Sequence, residues 1–133
     1  MIKKNLVSIL IINYNNEKYL DRAIKSCINQ SYKNLEILIY DDKSTDGSRF
    51  LLNKYSKHKK IKYFINKSKK KNMPAIDAKN SYYKLISKSK GDIIFLLDSD
   101  DYFLKNKVYK IVKKFNYNKK IHLIQDLPLV ITN

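Results

Sequence analysis

The sequence predicts an α/β fold in which helices cover both faces of a mostly parallel sheet. Two features of the pattern lead to this prediction. Short apolar runs rich in β-branched residues alternate with longer segments whose apolar residues recur every three or four positions. Polar clusters directly follow three of the apolar runs, as expected for a parallel sheet that binds a ligand beyond the carboxyl ends of its strands.

Five segments have the composition of strands, and their order with the helices is βαβαβαβαβ. The first, Val7–Ile12, is an apolar run broken only by Ser8, which is typical of a strand buried on both faces, and Leu35–Tyr40 is a second buried strand. The other three are Ile61–Ile65, Ile93–Leu97 and His122–Gln125. Because a helical segment separates each strand from the next, we expect neighbouring strands to be parallel.

The first helical segment has the clearest apolar stripe. Its members are Tyr19, Leu20, Ala23, Ile24, Cys27 and Ile28. Asn15 or Asn16 stands where a side chain can cap this helix, and Glu17 lies in its first turn. Further helices are predicted around Phe50–Tyr55, Ala75–Ile86 and Val108–Phe115.

Length and cysteine content limit the class of protein. The 133 residues suffice for one domain with one core, and no apolar run approaches the ~18 residues of a membrane span. The amino-terminal stretch resembles a signal peptide in being basic and then apolar, but it has no small-residue cleavage site, so we interpret it as a strand. Cys27 is the only cysteine, which excludes an internal disulfide and predicts a buried core residue.

The formal net charge of +16 is compatible with nucleic acid, an anionic membrane surface or a phosphorylated substrate as a partner. Of the 28 basic residues only Arg22 and Arg49 are arginines, and the other 26 are lysines. Because arginine is the side chain favoured for reading bases and phosphates, nucleic acid is the less favoured partner and transient membrane contact the more favoured one. An AT-rich genome gives the same lysine bias.

The cluster DSDD follows the fourth predicted strand and places three carboxylates within four positions. Asp98, Asp100 and Asp101 repel one another unless water or a cation offsets their charge. Carboxylate oxygens can hold Mg²⁺, which usually shares its remaining ligands with substrate phosphates. A solvated acidic turn before the next helix is an equally good interpretation of the cluster alone.

The clusters after the first two strands have a similar ambiguity. Asp41 and Asp42 end the second strand in DDKSTDGS, and Asp42 could accept a hydrogen bond from a nucleobase N–H. The residues after them are good turn and cap formers, but capping does not explain two adjacent carboxylates. Tyr14 in INYNN could stack on a base, although packing against the protein is the favoured interpretation.

Two glycines, Gly47 and Gly91, are too few for a phosphate-binding loop of the Walker or Rossmann type. Tyr102 stands where a phosphatase of the haloacid dehalogenase type needs Thr or Val. A response-regulator receiver would have its acidic pair after the first strand rather than the second. These three classes are therefore excluded.

Taken in order, the motifs resemble the amino-terminal half of family 2 glycosyltransferases of the GT-A, Rossmann-like fold. The matching pieces are VSILIINYNNEKYLDRAIKSCINQSYKNLEILIYDDKSTDGS, the AKN at Ala78–Asn80, and GDIIFLLDSDDYF, within about residues 5–115. The resemblance implies transfer of a sugar, usually with inversion, from a nucleoside-diphosphate sugar, with UDP as the default, to a saccharide or lipid-linked acceptor. It implies cell-surface glycan synthesis, in the cytoplasm or at the inner face of the membrane.

The resemblance also implies roles for individual residues. Those expected to bind the nucleotide-sugar are Ile12, Tyr14, Asp41, Asp42, Lys79, Asp98 and Ser99. Among them, Ile12 and Tyr14 would border the base, Asp42 would bind it, and Asp41 would support the turn. Asp98 and Ser99 would lie near the ribose and diphosphate. Asp100 would ligate Mg²⁺ or Mn²⁺, with Asp98 and Asp101 as further candidates for metal ligands.

The chain also departs from the family pattern. The catalytic base and acceptor contacts come from a carboxyl-terminal half in the family, whereas this chain ends at Asn133, and Asp126 is a poor candidate for the base. Met73, Pro74 and Ala75 replace glycines, Lys79 replaces an arginine, and Asn13 replaces a small hydroxyl residue. We therefore expect residues 1–133 to form one donor-binding domain without the acceptor-binding half, with little activity alone.

Two other functions fit this departure. One is a non-catalytic module that binds a nucleotide-sugar, and the other is a basic interaction protein on a degenerate transferase scaffold. Apolar surface left exposed where the second half would pack could also support a homodimer.

Overall fold

The computed structural model describes residues 4–68 and 74–125, with the side chains of residues 74–77 left out. In this part of the chain four strands alternate with four helices. They are β1 (Val7–Asn13), α1 (Glu17–Ile28), β2 (Leu35–Asp41), α2 (Ser48–Lys54), β3 (Ile61–Ile65), α3 (Pro74–Lys88), β4 (Ile93–Asp98) and α4 (Lys107–Tyr117). None of the described helices is long and apolar enough to cross a membrane.

The four strands form one sheet in the order β3-β2-β1-β4, and every pairing between them is parallel. The predicted α/β class is therefore confirmed. The register aligns the carboxyl ends of the central strands, since Asn13 pairs with Asp41 and Ile12 pairs with Asp98. Whatever follows these strands consequently meets at one edge of the sheet.

Helices cover both faces of the central strands, as predicted. On one face α1, α2 and α4 bury side chains such as Ile24, Leu52 and Val112 against the odd-numbered residues of β1 and β2. On the other face α3 contributes Leu85 to a smaller cluster with Leu10, Leu38 and Tyr40. The mostly apolar sequences of β1 and β2 are explained by this double coverage.

The strand β4 differs from the central strands because only one of its faces is covered. Its burial alternates along the strand, and Ile94 and Leu96 are 40% and 54% exposed. The helix α3 packs on β1 and β2, which leaves the neighbouring face of this edge strand uncovered within the described residues. The apolar surface expected from the sequence is therefore present on β4.

The predicted fifth strand is wrong. Residues 121–125 form no strand, and Leu123 is 83% exposed. The chain turns instead at Asn118, whose carbonyl oxygen accepts a hydrogen bond from the Ile121 N–H. A short apolar segment gains from strand geometry only when a neighbouring strand supplies hydrogen-bond partners, and no described strand lies beside this segment.

Cys27 is fully buried in α1, as the sequence predicted, and burial raises the pKa of its thiol to about 12. Because the thiolate is the reactive form, we expect the folded protein to resist dithionitrobenzoate at neutral pH. The same protein in guanidinium chloride should release one equivalent of thionitrobenzoate, measured at the same pH. Fast stoichiometric labelling of the folded chain would contradict the burial of α1.

Candidate functional site

Three polar loops meet at the carboxyl edge of the sheet. They are residues 14–16 after β1, residues 42–47 after β2 and residues 99–104 after β4. The first loop contacts both others, since the Asn16 side chain donates to Ser99 Oγ at 2.8 Å and the Asn15 N–H donates to Ser44 Oγ at 2.9 Å. The structure therefore brings the three predicted clusters together into one site.

Asp41 is fully buried beneath this site and is surrounded by donors. Its Oδ1 accepts from Asn13 Nδ2 at 2.9 Å, and its Oδ2 accepts from the Ser44 N–H at 3.1 Å and from Arg49 Nε at 3.3 Å. Asn13 also donates to Ser44 Oγ at 3.1 Å. The Asp41 carboxylate therefore holds the turn after β2 against the end of β1.

Asp42 lies beside Asp41 and is only 6% exposed. Its Oδ1 accepts a 2.6 Å hydrogen bond from Asn66 Nδ2, and its N–H donates to the Asn13 carbonyl oxygen at 2.8 Å. Asn66 is itself fixed, because its N–H donates to the Asp41 carbonyl oxygen at 2.8 Å. Sequence reasoning missed Asn66, although it follows β3 at the same edge of the sheet.

The N-terminus of α1 is capped from another loop, so the predicted cap is wrong in its chemistry. Asn16 occupies the N-cap position, but its side chain makes no capping hydrogen bond. Asp46 accepts the Glu17 N–H at 2.9 Å, and the Glu17 carboxylate accepts the Gly47 N–H at 2.9 Å. This exchange satisfies an orphan helix donor and fixes the turn after β2 to α1.

Two predicted base-site residues lie on β1 and just after it. Ile12 is partly buried against the cluster beneath α3. Tyr14 is 49% exposed, so about half of its surface packs against the protein and half is open to solvent at the carboxyl edge of the sheet.

The acidic loop after β4 is held from α1 through its backbone. Arg22 donates to the Asp100 carbonyl oxygen at 3.0 Å, and its guanidinium lies 4.7 Å from the centroid of the Tyr102 ring. Ser26 Oγ accepts the Phe103 N–H at 3.1 Å, and Gln30 donates to the Leu104 carbonyl oxygen at 2.9 Å. These hydrogen bonds are made to backbone atoms of the loop, so its carboxylates take no part in them.

Sequence reasoning missed the roles of both arginines. Arg22 holds the loop after β4, and Arg49 pairs with Asp41 in the loop after β2. In a chain whose other 26 basic residues are lysines, the two arginine positions were a usable signal. Arginine suits these sites because its rigid fork donates several hydrogen bonds and stacks on aromatic rings.

From the opposite face of the sheet, α3 reaches the same acidic loop. The Tyr82 hydroxyl donates to Asp98 Oδ1 at 3.0 Å. Burial raises the pKa of Tyr82, and the negative charges of Asp98 and Asp101 raise it further. Lys79, three residues earlier on α3, is exposed and has its Nζ 5.8 Å from the centroid of the Tyr83 ring.

The acidic loop carries negative charge that the protein offsets only in part. Burial raises the pKa of Asp101, the charges of Asp100 and Asp98 raise it further, and Arg22 opposes them. The described residues contain no group of three or more His, Cys, Asp or Glu side chains that could hold a metal ion, so the candidate ligands Asp98, Asp100 and Asp101 do not form a ready-made metal centre. The loop instead fits a cation that takes one or two carboxylates and completes its shell with water and ligand oxygens.

Some of the residues singled out in the sequence lie outside the described part of the structure. Met73 and Asp126 lie outside the described residues, as do the side chains of Pro74 and Ala75.

Comparison with known proteins gives a consistent result. The model of glycosyl transferase family 2 matches residues 8–131. A glycosyltransferase of Haemophilus influenzae named as uncharacterized is 38% identical over 120 residues, covering 90% of this chain and 44% of the relative. WfaP of Escherichia coli, a UDP-Glc:alpha-D-GlcNAc-diphosphoundecaprenol beta-1,3-glucosyltransferase, is 38% identical over 77% of this chain and 38% of its own length. The chain thus spans less than half the length of either relative.

A solved structure has the same fold at low identity. The crystal structure of S. aureus TarS 1-349 in complex with UDP-GlcNAc superposes with a TM-score of 0.72 and 21% identity. The likeness covers 84% of this chain and 31% of the TarS chain.

Proposed function

Because this chain belongs to glycosyl transferase family 2, we propose that it is the donor-binding half of a metal-dependent transferase that uses a nucleoside-diphosphate sugar. The observation that carries the proposal is the convergence of the Asp42 turn and the acidic loop of Asp98–Asp101 at one edge of a parallel sheet. The loop after β1 thereby links Asp42, which can accept from a base N–H, to the carboxylates that can hold a cation. UDP is the default nucleotide, since WfaP is named for a UDP-sugar donor and the TarS structure contains UDP-GlcNAc.

The nucleobase would bind beside β1 and β2. Asp42 can accept a hydrogen bond from the base, and the Asn66 amide orients its carboxylate. The exposed ring of Tyr14 can stack on the base, and the backbone near Ile12 borders the same space. Asp41 supports this arrangement from below, because its oxygens are already occupied by protein donors.

The diphosphate would bind at the loop after β4. Asp100 is the proposed ligand of Mg²⁺ or Mn²⁺, with Asp98 towards the ribose and diphosphate. Ser99 would act there through its backbone, because its side chain is buried and its hydroxyl accepts a hydrogen bond from the loop after β1. The cation would neutralise the charge that grows on the departing diphosphate. Arg22 keeps the Asp100 backbone in place, so that the carboxylate is presented without having to order the loop first. Lys79 is a candidate for an additional phosphate contact.

Because this chain spans less than half the length of the two relatives, we propose that the acceptor binds to the part of such a transferase that these residues do not match. We propose that residues 1–133 form one domain, and that the acceptor-binding half packs against the exposed Ile94 and Leu96 face of β4. A second copy of the chain could cover the same face. A saccharide or lipid-linked acceptor in cell-surface glycan synthesis, reached by peripheral contact of the basic chain with the inner face of the membrane, fits the acceptor named for WfaP.

The test is calorimetric titration of UDP into the protein with and without Mn²⁺. We expect metal-dependent binding that Asp100→Ala weakens at least about tenfold, equivalent to about 1.4 kcal/mol. Asp92→Ala is the control for loss of a carboxylate at the opposite end of β4 and should leave the affinity unchanged. Because Asp92 Oδ2 accepts the Leu6 N–H at 2.9 Å, urea denaturation of this variant is measured alongside to separate stability from binding. The titration needs no acceptor and no turnover.

The outcome also separates the alternative functions. Metal-dependent binding without transferase activity, in a protein that includes the acceptor half, favours a non-catalytic module. Failure of UDP and of other nucleoside diphosphates to bind would overturn the proposal. That result would favour a basic interaction protein, for which the best lead is the segment of residues 105–125 with seven lysines and no acidic residue.

A further inference from the structure

The helix α3 makes a specific polar contact with the acidic loop that the family assignment does not account for. The Tyr82 hydroxyl donates to Asp98 Oδ1 at 3.0 Å across the end of the sheet. The ring of Tyr82 packs against the buried cluster of Leu10, Leu38, Tyr40 and Leu85. A side chain anchored in this way presents its hydroxyl from a fixed position.

The contact fixes one oxygen of a carboxylate that would otherwise be free to rotate. The Asp98 side chain is exposed, and its backbone carbonyl oxygen accepts the Asp101 N–H at 3.0 Å within the tight turn of the loop. The backbone is thus set by the turn, while the orientation of the carboxylate depends on its side-chain partner. A hydrogen bond to a charged acceptor is stronger than one between neutral groups, and Tyr82 donates it from a ring that packing holds in place, which a water molecule does not.

We propose that Tyr82 is a positioning residue that occupies Asp98 Oδ1 and leaves Asp98 Oδ2 as the oxygen available to the donor or its cation. This inference rests on the proposed function, since it concerns the same site. By drawing charge from Asp98, the hydroxyl also lessens the repulsion between that carboxylate and an incoming diphosphate. Tyr82 itself need not touch the nucleotide.

The test compares two substitutions that each remove one hydroxyl from the same buried cluster. Tyr82→Phe deletes the donor to Asp98. Tyr40→Phe deletes a hydroxyl that accepts from Lys84 Nζ at 2.8 Å and contacts no carboxylate. Both rings pack beside Leu85, so the two variants should perturb packing alike.

The measurements are UDP affinity at saturating Mn²⁺, Mn²⁺ affinity without nucleotide by water-proton relaxation, and unfolding in urea. We expect Tyr82→Phe to weaken UDP binding about threefold to tenfold, the loss typical of one hydrogen bond, and Tyr40→Phe to change it less than about twofold. The midpoint of unfolding should move no further in Tyr82→Phe than in Tyr40→Phe.

The outcomes distinguish this inference from the proposed function. If the wild-type protein binds UDP and Tyr82→Phe binds it equally well, the positioning role is overturned and the donor site stands. Equal losses in the two variants would also overturn it, because packing would then be the cause. If the wild-type protein binds neither UDP nor Mn²⁺, both proposals fail together.

Discussion

Replacement of Gly91 by alanine is expected to lower the free energy of unfolding by about 3 kcal/mol and the melting temperature by about 10 °C. A Cβ at this position would lie 2.5 Å from the Ser8 backbone nitrogen and from Ser8 Oγ, and 3.0 Å from the Val7 carbonyl carbon. Those atoms belong to β1, a central strand that is hydrogen-bonded on both edges. The clash therefore cannot be relieved by a side-chain rotation.

The Gly91 contact also sets the position of the acidic loop. The Gly91 N–H donates to Ser8 Oγ at 2.9 Å, at the point where the chain enters β4. The six residues of β4 connect this point to Asp98, so the position of Gly91 influences the position of Asp98. A displacement at Gly91 would therefore shift the carboxylates at the far end of the strand.

Gly47→Ala is the matched control, because the chain has only these two glycines. A Cβ at Gly47 would lie 2.1 Å from Glu17 Oε1, which is the movable end of an exposed side chain. We expect this variant to lose less than about 1 kcal/mol. Urea denaturation of both variants checks the prediction, and a Gly91→Ala protein as stable as Gly47→Ala would show that the close approach to β1 is wrong.

The sheet could be predicted from sequence because its strands carry local signals. The mostly apolar sequences of β1 and β2 have the pattern of doubly covered strands, and the helices between them force parallel pairing. The segment His122–Gln125 was predicted as a strand but forms none, and only Leu123 and Ile124 in it are apolar. Strand formation also depends on a partner at the sheet edge, and that information is not in the segment itself.

The acidic clusters of the site could be predicted from the sequence, whereas the residues that support them could not. Asp42 and Asp98 stand out because carboxylates directly follow apolar runs. Asn66 and Tyr82 reach them from other elements, and only the fold brings such partners together. The predicted cap of α1 was wrong for the same reason. The Asn16 side chain donates to Ser99, and a carboxylate from the loop after β2 accepts the hydrogen bond at the start of the helix.

Although Asp41 and Asp42 are neighbours, replacing Asp41 is expected to lower mainly stability, and replacing Asp42 is expected to weaken mainly UDP binding. Asp41→Ala should lower the free energy of unfolding by about 3 kcal/mol, because it leaves the Ser44 N–H and Arg49 without their acceptor in a buried turn. Arg49 is 47% exposed at its side chain and can be partly rehydrated, which keeps the loss below that of a fully buried pair.

Asp42→Ala should have the opposite profile. Its carboxylate accepts from Asn66 at the edge that we propose for the base, so its removal should weaken UDP binding at least about tenfold. Because this buried carboxylate accepts a hydrogen bond from the Asn66 side chain, its removal should also lower the free energy of unfolding by about 1 to 2 kcal/mol, less than Asp41→Ala. Urea denaturation and UDP calorimetry on both variants test the pair. If Asp41→Ala were fully stable, or if Asp42→Ala bound UDP as the wild-type protein does, the division between a supporting and a binding carboxylate would be wrong. The separation is physically reasonable because the Asp41 carboxylate accepts three hydrogen bonds from protein donors within the turn, whereas Asp42 lies at the edge of the sheet that we propose for the base.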